Sequence, residues 1–114
     1  MTTREAADDA VERQVRAYNE RDLETFVACY SQDVVVEDGD GVVLLSGRAE
    51  MRERYGRLFA NAPDLHAEIV TRIRVGSYVV DEERITGRPD GDLHAVVIYH
   101  LDGDGLIDRV TFLR

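Results

Sequence analysis

Carboxylates set inside apolar strands are the residues of this sequence with the most chemistry to offer. Residues 33–38 read Asp-Val-Val-Val-Glu-Asp, and three consecutive β-branched side chains favour a pleated, half-buried strand. Alternation puts Val34, Val36 and Asp38 on one face and Val35 and Glu37 on the other. A carboxylate that ends a row of core-facing valines is costly to ionise unless a donor stands near it. The stretch from Tyr78 to Thr86 holds a second such oddity, because Asp81 and Glu83 share a face with Val79 and Ile85. Either those two acids point inward with their apolar neighbours, or the strand is wetter and they pair with Arg72 or Arg74 on the strand before it.

Phenols are the natural partners of a buried carboxylate, since they donate to it and tune its proton affinity. Tyr18, Tyr30, Tyr55 and Tyr99 all fall on expected inward faces, and Gln14 lies one helical turn before Tyr18 on much the same side. His94 and His100 share the opposite face of their strand from Leu93, Ala95, Val97, Tyr99 and Leu101, which places them on the outer surface of a sheet. His66 also reads as a surface group. Three scattered histidines give no metal-ligand spacing. Cys29 is the sole cysteine, so no internal disulfide can form; within Phe-Val-Ala-Cys-Tyr it behaves as a small hydrophobe.

The elements that must position these groups follow from periodicity. Thr3 is a plausible N-cap for a helix to about residue 18 with Val11, Val15 and Tyr18 on its apolar face, and Asp22 caps a short second helix carrying Leu23, Phe26, Val27 and Tyr30 inward. After the 33–38 strand, Asp-Gly-Asp-Gly turns the chain into a short strand over 42–45. A third helix over 48–61 carries Met51, Tyr55, Leu58 and Phe59 on its buried face. The remainder is strand and turn. Residues 65–75 alternate with Leu65, Ala67, Ile69, Thr71, Ile73 and Val75 on one side. Strands over 78–86, 93–101 and 106–113 follow, separated by a loop at 87–92 and an Asp-Gly-Asp-Gly hairpin at 102–105. That last turn resembles a calcium loop only in its paired acids, because the distant bidentate Glu is missing. Helices first and antiparallel strands after describe an α+β domain with helices on one face of a curved sheet.

At 114 residues the chain is one domain, 1–114, with room for a single core. A net charge of −9 argues against nucleic acid as a partner, since phosphate contacts need a basic face. No apolar run approaches the roughly 18 residues of a membrane span, and the acidic N-terminal stretch has no apolar centre, so a cytoplasmic protein is expected.

Four stretches in this order carry a family resemblance: Tyr-Asn-Glu-Arg-Asp-Leu at 18–23, Tyr-Ser-Gln-Asp-Val-Val-Val-Glu-Asp at 30–38, Ser-Gly-Arg-Ala-Glu-Met-Arg at 46–52, and Asp-Gly-Asp-Gly-Leu-Ile-Asp-Arg-Val at 102–110. Together they resemble the nuclear transport factor 2-like superfamily, in particular the branch of ketosteroid isomerases and SnoaL-like polyketide cyclases. The resemblance implies a conical α+β barrel with three helices closing over a curved, mostly antiparallel sheet, a deep pocket, and a homodimer through the outer sheet face. It implies that Asp38 is the general base and that Tyr55 and Tyr30 belong to the oxyanion network. Gln14 then stands where those isomerases carry their main oxyanion tyrosine, and Val97 where they carry a protonated aspartic acid. The base is kept and the electrophilic half altered.

The expected function is therefore a cofactor-free isomerase, cyclase or dehydratase. It would act on a small apolar carbonyl compound, with Asp38, Tyr55 and Gln14 catalytic. Tyr18, Tyr30, Asp81, Glu83, Val97 and Tyr99 would contact the substrate. The alternatives are a ligand-binding module of the same fold without turnover, and a purely structural dimer with no cavity above about 300 Å³. No metal or cofactor is expected, and no nucleic-acid or membrane partner.

Overall fold

The computed structural model describes residues 9–114. Helix α1 (Ala10–Glu20) begins at an Asp9 cap whose carboxylate accepts from the Glu12 N–H at 3.1 Å; the cap expected at Thr3 lies outside the described residues. Its buried face carries Val11, Gln14, Val15 and Tyr18, and Arg21 ends it in the left-handed region at φ 54°. Asp22 caps α2 (Leu23–Ala28) as the sequence predicts, accepting from the Thr25 N–H. Strands β1 (Tyr30–Asp38) and β2 (Val43–Ser46) form a hairpin, after which α3 (Gly47–Asn61) crosses back over the sheet. Strands β3 (His66–Val75), β4 (Tyr78–Thr86), β5 (Leu93–Leu101) and β6 (Ile107–Leu113) complete the described chain.

The six strands form one sheet in the order β2-β1-β6-β5-β4-β3. Every neighbouring pair is antiparallel except β1 and β6, which run parallel. The helices pack on one side of the sheet, the α+β arrangement expected. Phe26 is the hub beneath them, its ring 4.7 Å from that of Tyr55 and 5.1 Å from that of Tyr30. Asn19 fastens α1 to the edge strand by pairing with one residue of it. The Asn19 amide donates to the Ala67 carbonyl at 3.0 Å and accepts from the Ala67 N–H at 2.7 Å, which replaces the ladder bonds a further strand would have supplied.

One expectation fails inside β3. Leu65, Ala67 and Ile69 are turned inward as the alternation requires, but the register shifts between Ile69 and Thr71, leaving Val70 as an extra residue. A bulge of this kind inverts every side chain beyond it. Thr71, Ile73 and Val75 therefore lie on the outer face, with Ile73 55% and Val75 66% exposed. Arg72 and Arg74 lie on the inner face, opposite Asp81 and Val79.

Candidate active site

The inward residues of β4 are set by strict alternation: Val79, Asp81, Glu83 and Ile85 are buried, and Tyr78 and Arg84 are exposed. The two acids meet different fates because the bulge in β3 aligns only one of them with an arginine. Asp81 is fully buried and takes both arms of the Arg72 guanidinium, at 2.6 and 2.9 Å. Arg72 also donates to Glu12 of α1 at 2.6 Å, and these acids hold its own proton affinity above the ordinary value. Asp81 is thus committed to an ion pair and does not line the cavity, contrary to its expected place against a substrate. Pairing with Arg72, the alternative weighed for these acids, is its actual state.

Glu83 faces Ile69, which offers no charge. It lines a cavity of about 230 Å³ between the helices and the concave face of the sheet. Four polar side chains are joined there in one direction. The Tyr30 hydroxyl donates to Gln14 Oε1 at 3.0 Å, Gln14 Nε2 donates to the Tyr99 hydroxyl at 3.1 Å, and that hydroxyl donates to Glu83 Oε2 at 3.0 Å. Each link polarises the next, and the chain ends on the one group able to hold negative charge. Glu83 is 5% exposed. Burial is the main cause that raises its proton affinity, to about 7. The Tyr99 hydrogen bond and Arg72 oppose the rise, and Asp81 adds to it.

Tyr18 and Tyr55 line the same cavity and make no hydrogen bond among the described residues. Burial raises the proton affinity of both, and both feel the charge of Glu83. Both therefore remain protonated and able to donate. Val97 contributes apolar wall. Gln14, Tyr18, Tyr30, Tyr55, Glu83, Val97 and Tyr99 are thus brought together as expected.

Asp38 is not. It follows Val36 along β1, but its Oδ1 accepts from the N–H groups of Asp40 at 2.9 Å and Val42 at 3.0 Å, and it is not among the cavity's lining residues. An aspartate that opens an Asp-Gly-Asp-Gly turn satisfies itself locally. The role expected of it has no geometric support. Asp102 does the same in the last hairpin, accepting from Asp104 and Leu106. Sequence reasoning missed Arg88 and Arg114, which line the cavity beside Arg54; Arg88 follows the last residue of β4 by two positions, a placement that could have flagged it.

The two histidines of β5 and the cysteine lie where the sequence places them. His94 and His100 are on the outer face, against Glu82 and Asp108. Cys29 is buried, its thiol donating to the Thr25 carbonyl and its proton affinity raised by burial. Among the described residues no group of three or more His, Cys, Asp or Glu is placed to hold a metal ion. None of their helices is long and apolar enough to cross a membrane.

The three described helices over a six-stranded mixed sheet, with a polar-lined cavity between them, define a cystatin-like, nuclear transport factor 2-like domain. The sequence matches the SnoaL-like domain model over residues 11–110, and the chain belongs to that family. No curated protein sequence matches it. Among solved structures, an uncharacterised cystatin-fold protein from Novosphingobium aromaticivorans is 29% identical, with TM-score 0.83 over 92% of this chain and 95% of that one. A Kribbella flavida protein provisionally assigned as a ketosteroid isomerase is 23% identical, with TM-score 0.77 over 91% and 73%. A Mycobacterium tuberculosis protein solved in complex with estradiol-17β-hemisuccinate is 16% identical, with TM-score 0.77 over 90% and 88%. The last two show likeness of fold alone.

Proposed function

We propose that this protein is a cofactor-free isomerase or lyase acting on a small, mostly apolar carbonyl compound, with Glu83 rather than Asp38 as the base. The observation that carries the reading is the Tyr30–Gln14–Tyr99–Glu83 chain, which ends on a buried carboxylate whose proton affinity lies near 7. A base tuned to that value is about half ionised at neutral pH, where it can both take and return a proton. Glu83 removes a proton from the carbon beside the carbonyl. The electron pair moves onto the carbonyl oxygen, and the hydroxyls of Tyr55 and Tyr18 donate to the resulting enolate. One such donor is worth about 3–4 kcal/mol of barrier. Return of the proton to a different carbon gives an isomer; loss of a β-substituent gives an elimination product.

The cavity, at about 230 Å³, is smaller than the roughly 300 Å³ typical of ligand sites, and its volume by itself matches what a purely structural dimer predicts. Its lining, not its volume, argues for a ligand: the Tyr18 and Tyr55 rings pack against Phe26, while their hydroxyls have no hydrogen-bond partner among the described residues and Glu83 lines the same cavity. The steroid-bearing mycobacterial neighbour supports a small molecule as partner. We also assign a homodimer to the outer sheet face, where Ile73, Val80 and Ile98 lie side by side across β3, β4 and β5 and Val75 meets Tyr78.

The test is hydrogen–deuterium exchange at the protons beside the ketone of 4-oxo-4-phenylbutanamide, followed by proton NMR. The protein should accelerate it, and Glu83→Gln should remove about a hundred- to ten-thousandfold of that acceleration. Asp38→Asn should leave it unchanged. Equal rates in Glu83→Gln and the native protein overturn the mechanism. The second reading, a binder without turnover, is favoured by the engagement of Asp38 in its turn and by Val97, and it predicts binding of the ketone with no exchange.

A further inference from the structure

The charge around the cavity runs against the charge of the molecule. The chain carries 23 acidic and 14 basic residues, yet the cavity's ionisable walls hold one carboxylate, Glu83, and three guanidiniums, Arg54, Arg88 and Arg114. They come from separate parts of the fold: α3, the loop after β4, and the position after β6. In the antiparallel array the end of β4, the start of β5 and the end of β6 come together at one end of the sheet, which puts Arg88 and Arg114 at one mouth of the cavity; Arg54 lines the same cavity from α3. Among the described residues only Arg88 has a carboxylate within reach, and that one is held loosely. Arg54 has no ion-pair or hydrogen-bond partner among the described residues. Arg88, its side chain 20% exposed, reaches only Asp90 at 3.8 Å and the Gly91 carbonyl at 3.5 Å. Arg114 lies over the Phe112 ring. The guanidiniums of Arg54 and Arg88 both pull against the raised proton affinity of Tyr55, which sets both close to the cavity's donors.

We infer that the ligand of this cavity carries one carboxylate, seated at the mouth between Arg54 and Arg88, with its apolar body and carbonyl reaching inward to Tyr55 and Glu83. The inference rests on reading the cavity as a ligand site, and it is independent of whether Glu83 performs chemistry. Guanidiniums match a carboxylate in shape and charge. Low-dielectric walls concentrate their field at the opening, which also draws an anion toward a molecule that otherwise repels it.

Calorimetric titration with 4-oxo-4-phenylbutanoate and with its neutral amide tests this directly. The acid should bind about tenfold more tightly than the amide, the two should compete for one site, and added salt should shrink the difference. Arg54→Gln should weaken the acid about threefold and Arg88→Gln roughly fivefold, with the amide unaffected. Arg88→Lys should keep most of the preference. Equal affinity for acid and amide overturns the inference, as does an acid preference that survives in the Arg54→Gln, Arg88→Gln double variant. If neither compound binds, the inference and the ligand-site reading both fail. If the acid preference appears and vanishes as expected while ketone exchange is absent, the anion site stands and the proposed base does not.

Discussion

Glu83 couples the stability of the protein to the chemistry proposed for it. Facing the Tyr99 hydroxyl, with Tyr18, Tyr55, Asp81 and Arg72 around it, the carboxyl holds its proton up to about pH 7 against an ordinary 4.5. Between those values the folded protein keeps a proton that the unfolded chain has released. Stability therefore falls as pH rises from about 4.5 to about 7, by up to about 3 kcal/mol. Glu83→Gln, still able to accept from Tyr99, should match the native protein at pH 5. At pH 8 it should exceed it by about 1–3 kcal/mol in urea denaturation. Ketone exchange should move the opposite way, rising with pH to a plateau above 7. Arg72 is the complementary case. Arg72→Met leaves Asp81 buried without its partner and should cost about 3–5 kcal/mol, measured the same way. The inward direction of both acids was legible from Val79 and Ile85 on either side of them. Their separate fates were not, because they depend on which residue of β3 stands opposite. Asp38 misled for a local reason: two backbone N–H groups within four residues compete for its carboxylate, and alternation along a strand carries no information about them.

At the scale of elements, the joints decide more than the strands do. Gly87 closes β4 at φ +78°, and a Cβ placed there would stand 2.2 Å from the Asp64 carbonyl oxygen. Gly87→Ala should cost more than about 2 kcal/mol. Gly91→Ala in the same loop also meets positive φ, +102°, but nothing within 4 Å, so it should cost about 1 kcal/mol. Thermal unfolding of the two variants separates the clash from the backbone strain. Strands β4 and β5 were readable end to end because each keeps one apolar and one polar face throughout. Strand β3 appeared just as regular, with six alternating small or apolar residues, and the bulge at Val70 broke it. The pattern hid the bulge because Thr71, Ile73 and Val75 suit the outer face as well as the inner one.

At the scale of the whole molecule, that inversion leaves Ile73 and Val75 more than half exposed on the outer face, beside the half-exposed Tyr78 of β4. Ile73→Arg should abolish the proposed dimer, giving a monomer in sedimentation experiments while changing thermal stability little. A native protein that sediments as a monomer at high concentration would contradict the assignment. The order β2-β1-β6-β5-β4-β3 has a further consequence. The sixth strand in chain order lies in the middle of the sheet, between the first and the fifth. Until it leaves the ribosome, the nascent chain holds a two-stranded ribbon and a three-stranded ribbon with no seam between them. The walls of the cavity can therefore close only once β6 has paired with both β1 and β5.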